Sequence, residues 1–67
     1  MTMAQAILKN NTDTAALFAA CEKVAVSTDQ DWDHEETLYQ FADESVIVLN
    51  GPHAAAYESE SHASRQG

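Results

Sequence analysis

Apolar positions recur at helical spacing in the first part of this chain and give way to strand-like runs in the second. From Ala15 to Val26 no Gly or Pro interrupts, and Leu17, Ala20, Cys21 and Val24, joined by Phe18, fall at i, i+3, i+4 and i+7. That spacing predicts a helix with Glu22 and Lys23 on its other side. Thr12 or Thr14 is placed to cap it, with Asp13 near the positive end of its dipole. Upstream, Met3-Ala4-Gln5-Ala6-Ile7-Leu8 predicts a further short helical turn that Asn10-Asn11 interrupts. Ser27-Thr28-Asp29-Gln30 ends the helical pattern, and the acidic run through Glu36 reads as a loop or a helix-poor connector.

From Thr37 the pattern changes. Thr37-Leu38-Tyr39-Gln40-Phe41 is rich in strand formers, with Tyr39 and Phe41 on one face. Ala42-Asp43-Glu44-Ser45 reads as a hairpin turn in which Asp43 bonds the backbone that follows. Val46-Ile47-Val48-Leu49 is the most strand-like run, and Asn50-Gly51-Pro52 breaks it with strong turn chemistry. His53-Ala54-Ala55-Ala56-Tyr57 fits either a third strand or a short helix, since three alanines favour the latter. The expected fold class is α+β: one or two N-terminal helices packed on a small two- or three-stranded antiparallel β-meander. Residues 1–57 make a single domain, and the Ser-rich stretch 58–67 reads as a disordered polar tail.

Size limits the chemistry. A core built from 67 residues rarely supplies more than about 3–5 kcal/mol, which argues against a buried multi-residue catalytic cleft. Cys21 is the only cysteine, so no disulfide staples the chain, and one free thiol fits a reducing, cytoplasmic location. The start has no basic segment followed by a long apolar one, so export by signal peptide is not expected. No apolar run of 18 residues is present, so no membrane partner is expected.

Charge adds the most information. Eleven Asp+Glu against three Lys+Arg give a formal net charge of -8. Seven of those acids (Asp29, Asp31, Asp33, Glu35, Glu36, Asp43 and Glu44) fall within residues 29–44, where there is no Lys or Arg. This is a local negative field beside the strands. Three cations offer almost no counterion release, so direct nucleic-acid binding is not expected.

The candidate chemistries fail on spacing. Asp29, Asp31 and Asp33 alternate as in a calcium loop, but a loop starting at Asp29 places His34 where Gly is needed and Gln40 where the bidentate Glu belongs. His34, His53, His62 and Cys21 lack the paired spacing of a zinc site. Cys21 lies on the apolar helix face and reads as core rather than nucleophile. Glu35 and Glu36 are adjacent, point apart, and have no apolar bracket to raise a pKa. Gly51 and Gly67 are the only glycines, so no phosphate loop exists. No catalytic residue, metal or cofactor is expected, and the protein reads as a non-enzyme.

Trp32, between Asp31 and Asp33, has two readings. Indole is costly to leave in water, so the commoner outcome is that it folds onto the small core. The other is an aromatic anchor ringed by carboxylates, suited to a basic protein surface. Asp29, Asp31, Trp32, Asp33, Glu35, Glu36, Asp43 and Glu44 are the candidate partner-binding residues.

A short, acidic, cysteine-poor chain with a helix and the hairpin from Leu38 to Leu49 resembles small phage or mobile-element inhibitors, including anti-CRISPR proteins and other DNA mimics. The resemblance lies in size, charge and style. It brings no signature motif, so no functional residues transfer with it. It implies a nonenzymatic protein that evades host defence by occupying the basic surface of a host nucleic-acid-binding complex, in the bacterial cytoplasm. The alternative is a small homodimeric assembly protein with an ordinary acidic surface, paired through an exposed strand edge.

Overall fold

The computed structural model describes residues 1–59; the expected tail, residues 58–67, lies from 60 onward outside the described residues. The chain forms α1 (Met3–Asn10), α2 (Thr14–Val24), β1 (Ser27–Asp31), β2 (Glu36–Gln40), β3 (Val46–Asn50) and β4 (His53–Tyr57). The four strands pair antiparallel in the order β1-β2-β3-β4. The class is α+β, with two helices, and the sheet has four strands where two or three were expected.

The additional strand is β1. Ser27-Thr28-Asp29-Gln30-Asp31 has no apolar residue on either face, so period-two patterning has nothing to mark. Its four leading residues are exposed on both sides, which shows that the helices do not reach over it. Main-chain pairing with β2 holds it, from Ser27 opposite Gln40 to Asp31 opposite Glu36. Residues 53–57 are a strand rather than a helix, because pairing with β3 outweighs the helix propensity of three alanines.

Alternation on β2 and β3 determines the core. Tyr39, Phe41, Ile47 and Leu49 point to the helices and bury with Ala4, Leu17 and Cys21. Leu38 and Val46, on the opposite face, are buried too. Of the expected apolar face of α2, only Leu17 and Cys21 are fully buried; Phe18 is 50% exposed and Val24 is also exposed. Ile7 and Leu8 of α1 supply the rest of the covering layer, with α1 lying against β4 and β3.

The caps were partly legible. Asp13 itself caps α2, its carboxylate accepting the Ala16 N–H at 3.2 Å, so neither Thr12 nor Thr14 does. Thr2 and Gln5 form a reciprocal capping box on α1. The β3–β4 hairpin closes through Gly51 and Pro52, where Gly51 has φ +58. A positive φ at the first position of a two-residue loop is the arrangement that matches strand twist and favours glycine there.

Candidate functional site

The β1–β2 hairpin gathers six of the eight candidate residues. Asp29 and Asp31 lie on β1, Glu36 begins β2, and Trp32-Asp33-His34-Glu35 form the four-residue turn between them. Asp31 organises this turn. Its carboxylate accepts the backbone N–H groups of Asp33 at 3.1 Å and His34 at 3.3 Å, and its second oxygen lies 2.8 Å from His34 Nδ1. The bond to the His34 side chain holds the Asp31 carboxyl below the ordinary carboxylate range, reinforced by those backbone donors. Glu35 closes the turn with φ 55, a left-handed conformation that non-glycine residues seldom adopt.

Trp32 does not fold onto the core. It is 78% exposed, against the expectation that so small a domain needs every large apolar side chain inside. The physical reason is positional: the turn held by Asp31 lies beyond the end of the strand pair, and Tyr39, Phe41, Ile47 and Leu49 already fill the layer under the helices.

Asp43 and Glu44 sit elsewhere, in the β2–β3 turn at the other end of β2. A five-residue strand separates the two turns by roughly 16 Å at the usual rise per residue. Asp43 is moreover built into the fold. One oxygen accepts the Met3 N–H at 2.9 Å; the other accepts the Ser45 N–H at 3.1 Å and the Ser45 hydroxyl. The Met3 N–H is the main cause that draws the Asp43 carboxyl below its usual range, followed by the Ser45 hydroxyl. A carboxylate at the N-terminus of α1 also meets the positive end of that helix.

The remaining chemistry-bearing groups are structural. Cys21 is buried in the core, and burial pushes its thiol up to about 11, so at neutral pH it is a thiol and not the thiolate a nucleophile requires. Glu22 does not simply face away: its carboxylate accepts the Tyr39 hydroxyl at 2.6 Å and ties α2 to β2. Phe18 packs edge-on against the same ring, with centroids 6.3 Å apart. Among the described residues, no three His, Cys, Asp or Glu side chains converge as metal ligands, and no helix is long and apolar enough to cross a membrane.

One feature escaped sequence reasoning. Register places Asp31, Glu36, Asn50 and His53 in a single row across the face of the sheet opposite the helices, followed by Asp29, Leu38, Val48 and Ala55, then by Ser27, Gln40, Val46 and Tyr57. Between the first row and Tyr57 lies a depression of about 190 Å³. The signal for it was the Gly51-Pro52 turn, which fixes Asn50 opposite His53 once 53–57 is read as a strand.

Comparison with known protein families and with curated proteins finds no match to this chain.

Proposed function

We propose that this protein is a nonenzymatic binding protein that uses its carboxylate-rich surface to occupy the basic surface of a nucleic-acid-handling protein complex, as an anti-CRISPR or DNA-mimic inhibitor does. The observation that carries this reading is Trp32, which stands 78% exposed between Asp31 and Asp33 in a turn that also contains Glu35. An exposed indole ringed by carboxylates combines an anchor for a pocket with the charge that steers a cationic groove toward it. Asp31 holds the turn in one conformation, which lowers the ordering cost of docking.

Within this reading Asp29, Asp33, Glu35 and Glu36 supply the field and Trp32 the anchor. Asp31 and Asp43 act through the fold, and Glu44 is an exposed carboxylate at the far turn. Binding displaces nucleic acid by competition, with one inhibitor per site and no turnover.

The alternative is a homodimer paired through an exposed strand edge. β3, which contains 46–49, pairs with β2 on one side and β4 on the other. The edges of the sheet are β1, where self-pairing would bring Asp29 and Asp31 of two copies close and set like charges against each other, and β4, which carries no carboxylate.

The test is capture by the immobilised protein, with duplex DNA or RNA as competitor and the bound proteins identified. Recovery of a nucleic-acid-binding complex that is lost on adding competitor and on the combined Trp32→Ala, Asp33→Lys and Glu35→Lys changes is expected. Capture unaffected by those three changes sinks the proposal.

A further inference from the structure

We propose that the depression on the face of the sheet opposite the helices is a receptor for a single arginine side chain of a protein partner. This deepens, and rests on, the reading of the molecule as a binder of basic proteins.

The depression is lined by Glu36, Val48, Asn50, His53, Ala55 and Tyr57, together with Ala54. It exists because of side-chain size. Ala55 on β4 lies directly opposite Val48 on β3, and two positions further along β4 the large ring of Tyr57 rises beside it on the same face. Small residues thus make the floor, an aromatic ring makes one wall, and the row Glu36–Asn50–His53 makes the other. Its volume, about 190 Å³, falls below the roughly 300–1,000 Å³ of small-molecule and cofactor sites. It has room for one long side chain.

The chemistry of the walls selects which one. Glu36 is the charged carboxylate of the lining, and the Asn50 amide donates to its Oε2 at 3.4 Å, a single long contact that leaves acceptor capacity on both oxygens for a guest. The Asn50 carbonyl oxygen is a further acceptor along the same row, and the His53 ring borders it. Asp31 lies directly opposite Glu36 in the strand register. Its carboxylate is engaged by His34 and the turn backbone, which leaves Glu36 as the carboxylate that meets a cation seated between the row and Tyr57.

Arginine fits these walls better than lysine. Its aliphatic stem lies along Val48 and Ala55 while its charged end reaches the acceptors. The planar fork meets a carboxylate with two parallel bonds, and the flat face stacks on a tyrosine ring. The ammonium of lysine makes neither arrangement. An anion is disfavoured by Glu36.

The experiment is a nuclear magnetic resonance titration of the ¹⁵N-labelled full chain carrying Arg65→Gln, which removes the chain's own guanidinium as a competitor. The probes are N-acetyl-arginine methylamide and N-acetyl-lysine methylamide. Saturable shifts at the amides of Glu36, Asn50, His53, Ala55 and Tyr57 are expected, with the arginine probe about fivefold tighter than the lysine probe. Glu36→Gln should weaken the arginine probe by at least about fivefold while the dispersed spectrum is retained. Tyr57→Leu, which keeps an apolar wall, should erase the preference for arginine. Shifts that fail to saturate, that are equal for both probes, or that map instead to residues 32–35 overturn the proposal. The two readings fail separately. Loss of the titration with capture of a basic partner intact removes the arginine receptor alone. An intact titration without such capture removes the inhibitor reading and leaves the receptor.

Discussion

The Ser45 hydroxyl accepts the backbone N–H of Ala4 at 3.0 Å, joining two fully buried residues that are 41 positions apart. This bond, with Asp43 accepting from Met3 and Thr2 from Gln5, satisfies the first three N–H groups of α1. The β2–β3 turn is therefore part of the cap of the N-terminal helix.

Ser45→Ala leaves the buried Ala4 N–H without an acceptor. A loss of about 1–3 kcal/mol is expected from the desolvated donor, measured by urea unfolding followed by circular dichroism. Retention of full stability would mean that α1 does not depend on this turn.

Asp43 governs the acid limb of stability. Its carboxyl sits below the ordinary range in the folded protein, so the unfolded chain binds the proton more tightly. The resulting stabilisation is present above the unfolded pKa of about 3.9 and disappears as pH falls through the lower folded value. Asp31 contributes in the same direction. Thermal melts between about pH 5 and about pH 2 should show a falling midpoint, and Asp43→Asn should flatten that fall.

Tyr39 governs the alkaline limb. Burial, followed by its bond to Glu22, raises the phenol well above its usual value. Stability is then complete below the unfolded phenol pKa of about 10 and declines as pH rises beyond it. Tyr39→Phe removes this decline and, at neutral pH, costs about 1–2 kcal/mol, the lower part of the range for bonds to a charged group because Glu22 is exposed. Denaturant melts at neutral and alkaline pH measure both.

Trp32 should report a solvated indole. The native protein's fluorescence is expected to match that of free indole in water and to be fully accessible to acrylamide. Trp32→Ala should change stability by less than about 0.5 kcal/mol, because an indole 78% exposed loses little buried area. A blue-shifted, protected emission would show the indole to be buried and would remove it as an anchor.

The legible parts of the fold are those where side-chain pattern and backbone preference agree. The hairpin from Leu38 to Leu49, with Asp43 bonding back to Ser45, follows from strand formers on both sides of a turn-forming run. Cys21 and Leu17 lie where helical spacing puts them. β1 was not legible, because its five residues carry no apolar pattern and main-chain pairing with β2 alone makes them a strand.

The candidate site divides in the same way. The density of charge from Asp29 to Glu44 is a property of the sequence, since it depends only on which residues stand in the chain. Which carboxylates act together was decided by the tertiary structure. Strand pairing brings Asp29, Asp31 and Glu36 beside the Trp32 turn, whereas the β2–β3 turn carries Asp43 away to cap α1. The exposure of Trp32 was decided there too, because a core already filled by Tyr39, Phe41, Ile47 and Leu49 leaves a side chain beyond the strand ends no place inside. The row of Glu36, Asn50 and His53 exists only through register, since residues up to 17 positions apart share one face once three strands align.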